Sequence, residues 1–205
     1  MNVTIIGNGN MARGIATRVL AGGNAVSLHV RDIEKGEALA ADLNGDVTVK
    51  EIGSPADDIV VITTHYGEVL NVAEQYEGFA GKTLVDITNP VDFQTFQLIP
   101  EAGRAGAQDI ADALPNATVV KAFNTIFAGT LVAGTVDGKS LDVFVAGDDT
   151  DAKKAVSALI NDSDMRAVDA GPLANARHLE GIALIHMAAQ EQLGTNWASA
   201  IKIVA

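Results

Sequence analysis

Short apolar runs alternate along the chain with segments in which apolar residues return every three or four positions. The runs fall at Asn2 to Ile6, Ala25 to Val30, Val47 to Val49, Ile59 to Ile62, Thr83 to Ile87, Thr118 to Phe123, Leu141 to Ala146 and Met165 to Val168. A run such as Ile59-Val60-Val61-Ile62, apolar at every position, is the pattern of a strand buried on both faces of a parallel sheet. Helical spacing covers Asn10 to Ala21, with Met11, Ile15, Val19 and Leu20 on one face. It returns at Glu34 to Leu43, Glu68 to Tyr76 and Ala105 to Leu114, then from Asp148 or Asp149 to Ile160, and in one long helix from Leu173 to Leu193. Gly22-Gly23 and Gly194 stand where helices end, and Asp148 or Asp149 where one begins. Val91 to Gly103 follows neither rhythm. Strands alternating with helices predict an α/β protein, a Rossmann-type doubly wound and mostly parallel sheet with a small C-terminal α/β region.

Such sheets bind ligands beyond the carboxyl ends of their strands. That rule gathers the turn after Ile6, Arg31, Thr63 to Tyr66, Thr88 to Pro90 and Ala122 to Thr125 into one expected site. The first turn is the most informative. Gly7-Asn8-Gly9-Asn10-Met11-Ala12 lies between a strand and a helix, the order a dinucleotide-binding βαβ unit requires. Gly7 permits the tight turn, and Gly9 lets a pyrophosphate approach the backbone. Ala12 is small enough for the helix to pack on its strand. The free N–H groups and the dipole at the helix start favour phosphate.

The end of the second strand chooses the dinucleotide. An acidic side chain about 20 residues beyond the glycine turn bonds the ribose hydroxyls of NAD, and that count reaches Asp32. The strand, however, ends at Val30 and is followed at once by Arg31, whose guanidinium can pair with a 2′-phosphate and stack on adenine. Lys35 is close enough to reach the same phosphate. Arg31 and Lys35 together predict NADP(H). Thr63, Thr64, His65 and Tyr66 should line the dinucleotide, Asn89 and Pro90 should shape its nicotinamide side, and Ala122 and Asn124 end a strand at the same edge. Lys121 is placed facing this cleft.

Composition narrows the field further. The chain has 205 residues, 48% of them hydrophobic, which suits one α/β domain with a sizeable core. A net charge of −12 argues against nucleic acid and anionic membrane surfaces as partners. With no cysteine, disulfides, thiolate catalysis and cysteine-ligated metals are excluded. The first residues show no basic signal-peptide region, and no apolar run approaches the roughly 20 residues of a membrane span, so the expected location is cytoplasmic. His178 and His186 lie eight residues apart with nothing to complete a metal site.

Several pieces, in order, are similar to one known family, the coenzyme F420-dependent NADP oxidoreductases. They are Gly7 to Ala12, Val30-Arg31-Asp32 with Lys35, Val85-Asp86-Ile87-Thr88-Asn89-Pro90, Val119 to Thr125, Val143 to Asp149, and Asp169 to Leu173 with Asn175-Ala176-Arg177, followed by a C-terminal region ending in Asn196-Trp197. The resemblance implies hydride transfer between NADP(H) and the deazaflavin F420 or a flavin-like acceptor. It also implies an N-terminal NADP-binding Rossmann domain (1–125), a small C-terminal domain (126–205) completing the acceptor cleft, and a homodimer. Family members grip the 2′-phosphate with a Ser-Arg pair and a nearby Lys. Here Arg31 and Lys35 match, Val30 stands at the Ser position and Asp32 at a position that can be basic. Hydride transfer between two ring cofactors needs alignment more than acid–base chemistry, so no catalytic side chain is assigned. The acceptor is expected near Phe127, Pro172, Leu173 and Trp197.

Two other readings stay open. Gly7 to Ala12 and Lys121 to Thr125 also resemble pieces of pyrroline-5-carboxylate reductase, an NADPH-dependent imine reductase. That enzyme continues into a long all-helical domain, whereas this chain shows apolar strand runs after residue 140. The other reading is a non-catalytic NADPH-binding protein.

Overall fold

The computed structural model describes residues 1–204. In chain order its elements are β1 (Asn2–Ile6), α1 (Asn10–Ala21), β2 (Ala25–Val30), α2 (Ile33–Ala41), β3 (Val47–Glu51), β4 (Ile59–Ile62), α3 (Val69–Ala73), β5 (Thr83–Asp86), β6 (Val91–Asp92), β7 (Gln97–Leu98), α4 (Gly106–Ala113) and β8 (Thr118–Lys121). The chain goes on through α5 (Ala128–Ala133), β9 (Thr135–Val136), β10 (Lys139–Ser140), β11 (Asp142–Gly147), α6 (Thr150–Asp162), β12 (Arg166–Gly171), α7 (Ala176–Ala188) and α8 (Gln190–Leu193).

One eight-stranded sheet runs in the order β12-β11-β8-β5-β4-β1-β2-β3. Its strands are parallel except where β11 meets β8. Only Ala146 and Gly147 of β11 pair with β8, opposite Lys121 and Val120, so the rest of β11 runs past the carboxyl end of β8. Strand order reverses at β1, which lies between β4 and β2, and this is where a doubly wound sheet opens a crevice. The period-2 geometry of the strands divides their side chains between two cores. Val3, Ile5, Val61 and Val85 pack with α1 and α6 on one face. Ile6, Val60, Ile62 and Leu84 pack with α3 and α4 on the other.

Two long helices expected from periodicity are interrupted. The segment around α3 is a five-residue helix between two 3₁₀ turns, Tyr66–Glu68 and Glu74–Phe79. Glu77 and Gly78 both take positive φ there, which ends the helical path. The last helix starts after Pro172 with a 3₁₀ turn and breaks at Ala189, where Gln190 Nε2 donates to the His186 carbonyl at 2.9 Å. The irregular stretch after Pro90 contains the small β6–β7 hairpin. Asp149 caps α6 through the N–H groups of Asp151 and Ala152, while Asp148 accepts from Leu173 N. No described helix is long and apolar enough to cross a membrane.

Candidate functional site

The crevice at the strand-order reversal is built by three strand ends. β1 delivers Gly7, Asn8 and Gly9, β2 delivers Arg31 and Asp32, and β4 delivers Thr63, Thr64 and His65. Together with Lys35, Glu68, Ile52 and His29 they line a cleft of about 420 Å³. Gly7 has φ of 122°, and a Cβ there would lie 2.4 Å from Thr63 Oγ1, which donates to the Ile6 carbonyl at 2.7 Å. The turn therefore requires glycine twice over, for its dihedral and for its neighbour. Nothing lies within 4 Å of where a Gly9 Cβ would be, so a ligand can reach that backbone. Gly9 is also the N-cap of α1, and no side chain caps the helix. Asn10, Met11 and Ala12 form its first turn, with Ala12 buried and Asn10 exposed, and their amides face the open end as an anion site needs.

Asp32 lines this cleft too, but its carboxylate is engaged at the start of α2. Its carboxylate caps α2, accepting from Lys35 N at 3.2 Å and pairing with Lys35 Nζ at 2.9 Å. Those bonds hold the Asp32 carboxyl below its ordinary pKa and Lys35 above. Arg31 is exposed, and its guanidinium lies 3.9 Å from Glu68, a loose contact in water that an arriving phosphate can replace. Sequence reasoning did not single out Glu68 or Ile52. Glu68 ends the 3₁₀ turn that follows His65, and Ile52 stands just past the carboxyl end of β3, where the strand-end rule also applies.

His29 lines the same cleft from beneath. Its Nδ1 lies 2.9 Å from Tyr76 Oη, its Nε2 has no partner, and burial with Lys50 nearby pushes its pKa down to about 4. The unfolded chain thus takes up a proton near pH 6.5 that the folded chain refuses until about pH 4. Stability is expected to fall as pH drops through that window and to level off below it. Urea midpoints measured across the range should lose much of this slope in His29→Gln.

Farther along the same edge, Asn89 and Asn124 bond across the ends of β5 and β8. Asn89 Nδ2 donates to the Asn124 carbonyl at 2.8 Å, and Asn124 Nδ2 donates to Asn89 Oδ1 at 2.9 Å. Asn124 Oδ1, Thr64 Oγ1 and Thr88 Oγ1 are buried without partners. Three orphaned polar atoms on the ends of three neighbouring strands are what a polar ligand would satisfy. Phe123, just before Asn124, is buried with φ of 62°, a strained conformation for a bulky residue. Pro90 is buried against Gly106, where a Cβ would lie 2.9 Å from both the Pro90 and Tyr66 rings. Ala122 is fully buried, its N–H on the Asp86 carbonyl. Tyr66, expected to line the dinucleotide, is not among the residues lining the cleft: it packs on Gly106 and donates to Asp109, and burial with that carboxylate pushes its pKa up to about 12.

Lys121 was expected to face the cleft, and the structure corrects this. It is fully buried, its ammonium on Asp86 at 2.8 Å, the Thr88 carbonyl at 2.6 Å and Glu180 at 2.9 Å. Of the residues expected around an acceptor, Phe127 and Trp197 meet edge to face with centroids 4.9 Å apart, and Phe127 lies over His186 at 4.3 Å. Trp197 also lines an open cleft of about 830 Å³ with Phe93, Phe96 and Met187. Pro172 is exposed elsewhere and Leu173 is buried in the core beside α4, so neither lines this cleft.

The fold and this cleft define a dinucleotide-binding protein of the Rossmann class. Residues 2–90 match the family model described as NADP oxidoreductase, coenzyme F420-dependent. An F420-dependent NADP reductase of Methanocaldococcus jannaschii is 31% identical, and the match covers 89% of each chain. A solved structure from Arthrobacter, provisionally described as an F420-dependent NADP reductase, superposes with a TM-score of 0.85 over 99% of both chains at 27% identity. The rat metalloreductase STEAP3 is 34% identical over 89% of this chain, which spans 36% of that protein's length. The chain belongs to the F420-dependent NADP reductase family, a family of NADP-dependent oxidoreductases.

Proposed function

We propose that the chain binds NADP(H) in the β1–β4 crevice and transfers a hydride between it and a deazaflavin of the F420 type or a flavin-like acceptor. The observation that carries this is the union, in one cleft, of an uncapped helix start behind a glycine turn with Arg31 and Lys35 at the end of β2. In this reading the amides of the α1 start hold the pyrophosphate, Arg31 and Lys35 take the 2′-phosphate, and Thr63, Thr64 and His65 wall the dinucleotide. Asn124 Oδ1 offers the carboxamide an acceptor. NADPH supplies the hydride, and the protein orients and shields. Residues 1–125 hold the dinucleotide. Residues 126–205 complete the acceptor side, where Phe127, Trp197 and Met187 offer flat apolar surface to a ring system. The proposal includes a cytoplasmic homodimer that takes no nucleic acid. Exposed Ile182, Ile185 and Leu193 support a self-association face, which sedimentation velocity tests.

Mixing the pure protein with NADPH and either F420 or FMN, and following loss of reduced-nicotinamide absorbance, tests the activity. Turnover with F420 is the expected result. Tight binding without turnover on any acceptor would instead fit a non-catalytic NADPH-binding protein. The imine-reductase reading needs a helical domain where β11 and β12 stand. Arg31→Ala should weaken NADPH about 10- to 100-fold, the loss of a charge-assisted phosphate contact, and NADH much less. Titration calorimetry with both nucleotides decides, and equal losses contradict the 2′-phosphate assignment.

A further inference from the structure

The Lys121 cluster has no place in the dinucleotide contacts above, yet it is bonded to Thr88, next to the Asn89–Asn124 pair at the ends of β5 and β8. Asp86 ends β5, Lys121 ends β8, and Glu180 comes from α7. All three side chains are fully buried. The three ammonium protons of Lys121 are all used, on Asp86, on Glu180 and on the Thr88 carbonyl. Asp86 Oδ1 also accepts from Thr88 N at 2.8 Å, so both backbone groups of Thr88 are tied to the cluster. Glu180 accepts in addition from Gly106 N at 3.0 Å and Ala107 N at 3.3 Å, the start of α4. Gly106 in turn presses on Pro90. The Thr88-Asn89-Pro90 turn is therefore held from Lys121 on one side and from the start of α4 on the other, and Glu180 is common to both. Glu180 lies six residues before His186 on α7, about 9 Å along the axis, and the His186 ring packs at a tilt against Phe127 on the proposed acceptor side.

We propose that Asp86, Lys121 and Glu180 are positioning residues for hydride transfer: the cluster fixes the Thr88–Asn89 turn, the seat of the nicotinamide, relative to α7, the helix that carries the acceptor wall. This rests on the function proposed above. The charges are buried because a strut between donor and acceptor must not yield. Alignment errors of a fraction of an ångström are costly in such a transfer.

Glu180→Gln and Asp86→Asn test the idea with little change of volume. Each amide offers one acceptor where the carboxylate offered two, so one of its present contacts must be lost. Both variants should bind NADPH within about twofold of the parent, because the phosphate contacts are untouched, while kcat falls about 10- to 100-fold. The fluorescence gain of bound NADPH, which reports immobilisation of its ring, should shrink in both. Unchanged kcat and emission, or a loss confined to KM, would overturn the inference. Should a variant not fold, amide exchange in the parent decides, since Thr88 N–H must be protected to the level of the core strands and exchange at loop rates overturns the proposal. Failure of the parent to bind NADPH would sink the functional reading first, a result distinct from parent and variants binding and turning over alike.

Discussion

Gly7→Ala is expected to abolish NADPH binding and to destabilise the fold by about 1–3 kcal/mol. The methyl group would lie 2.4 Å from Thr63 Oγ1, and the backbone there, with φ of 122°, is one an alanine rarely adopts. Relief requires either rotating Thr63 off the Ile6 carbonyl or reshaping the turn. Both disturb the wall and floor of the dinucleotide cleft together. Urea denaturation gives the stability change and calorimetric titration the binding change. A variant that keeps the parent's affinity would show that the turn is not the pyrophosphate seat. Thr63→Ser, which preserves the hydroxyl bond, should stay close to the parent in both measurements.

Lys121→Met should cost about 3–5 kcal/mol of stability, because it leaves two carboxylates buried without their cation. Methionine keeps most of the stem's length, so the loss reports charge more than volume. The sign with pH follows from the parent. Burial alone would pull the Lys121 pKa down, but Asp86 and Glu180 more than offset this and hold it above the ordinary value of 10.5. The lysine's contribution is therefore complete below that value and is lost only as pH rises past it. The parent should show no lysine-linked change in unfolding free energy between pH 6 and 9, and a decline in alkali that Lys121→Met lacks. A variant as stable as the parent would mean that the cluster does not contribute to stability as described.

The strands and the glycine turn were legible in the sequence because both depend on local signals, whereas the order of the strands in the sheet and the antiparallel β8–β11 pairing rest on distant contacts. Strands buried on two faces read as unbroken apolar runs, and a glycine turn between strand and helix has few other uses. The end of β2 was legible for the same reason: Arg31 and Lys35 pointed to NADP(H), and the structure adds that Asp32 caps α2 and pairs with Lys35. Periodicity over-extended two helices because it cannot register the positive φ at Glu77 or the side-chain bond from Gln190 that ends α7. The β6–β7 hairpin has two residues per strand, too few for any period. Lys121 was misplaced for a different reason. Its partners Asp86 and Glu180 lie 35 and 59 residues away, and a lysine at a strand end carries no mark of a buried pair. Glu180 shares a helix face with the buried Ala176, Leu179 and Ala183, a charged position in an apolar stripe that sequence reasoning passed over.

The assignment of the cleft to NADP(H) is tested most directly by a crystal structure of the protein grown with NADP+. The account predicts density for the dinucleotide across the carboxyl ends of β1 and β4, with the pyrophosphate at Gly9 and Asn10 and the 2′-phosphate on Arg31. A nucleotide bound elsewhere, or one whose 2′-phosphate makes no contact with Arg31 or Lys35, would contradict it.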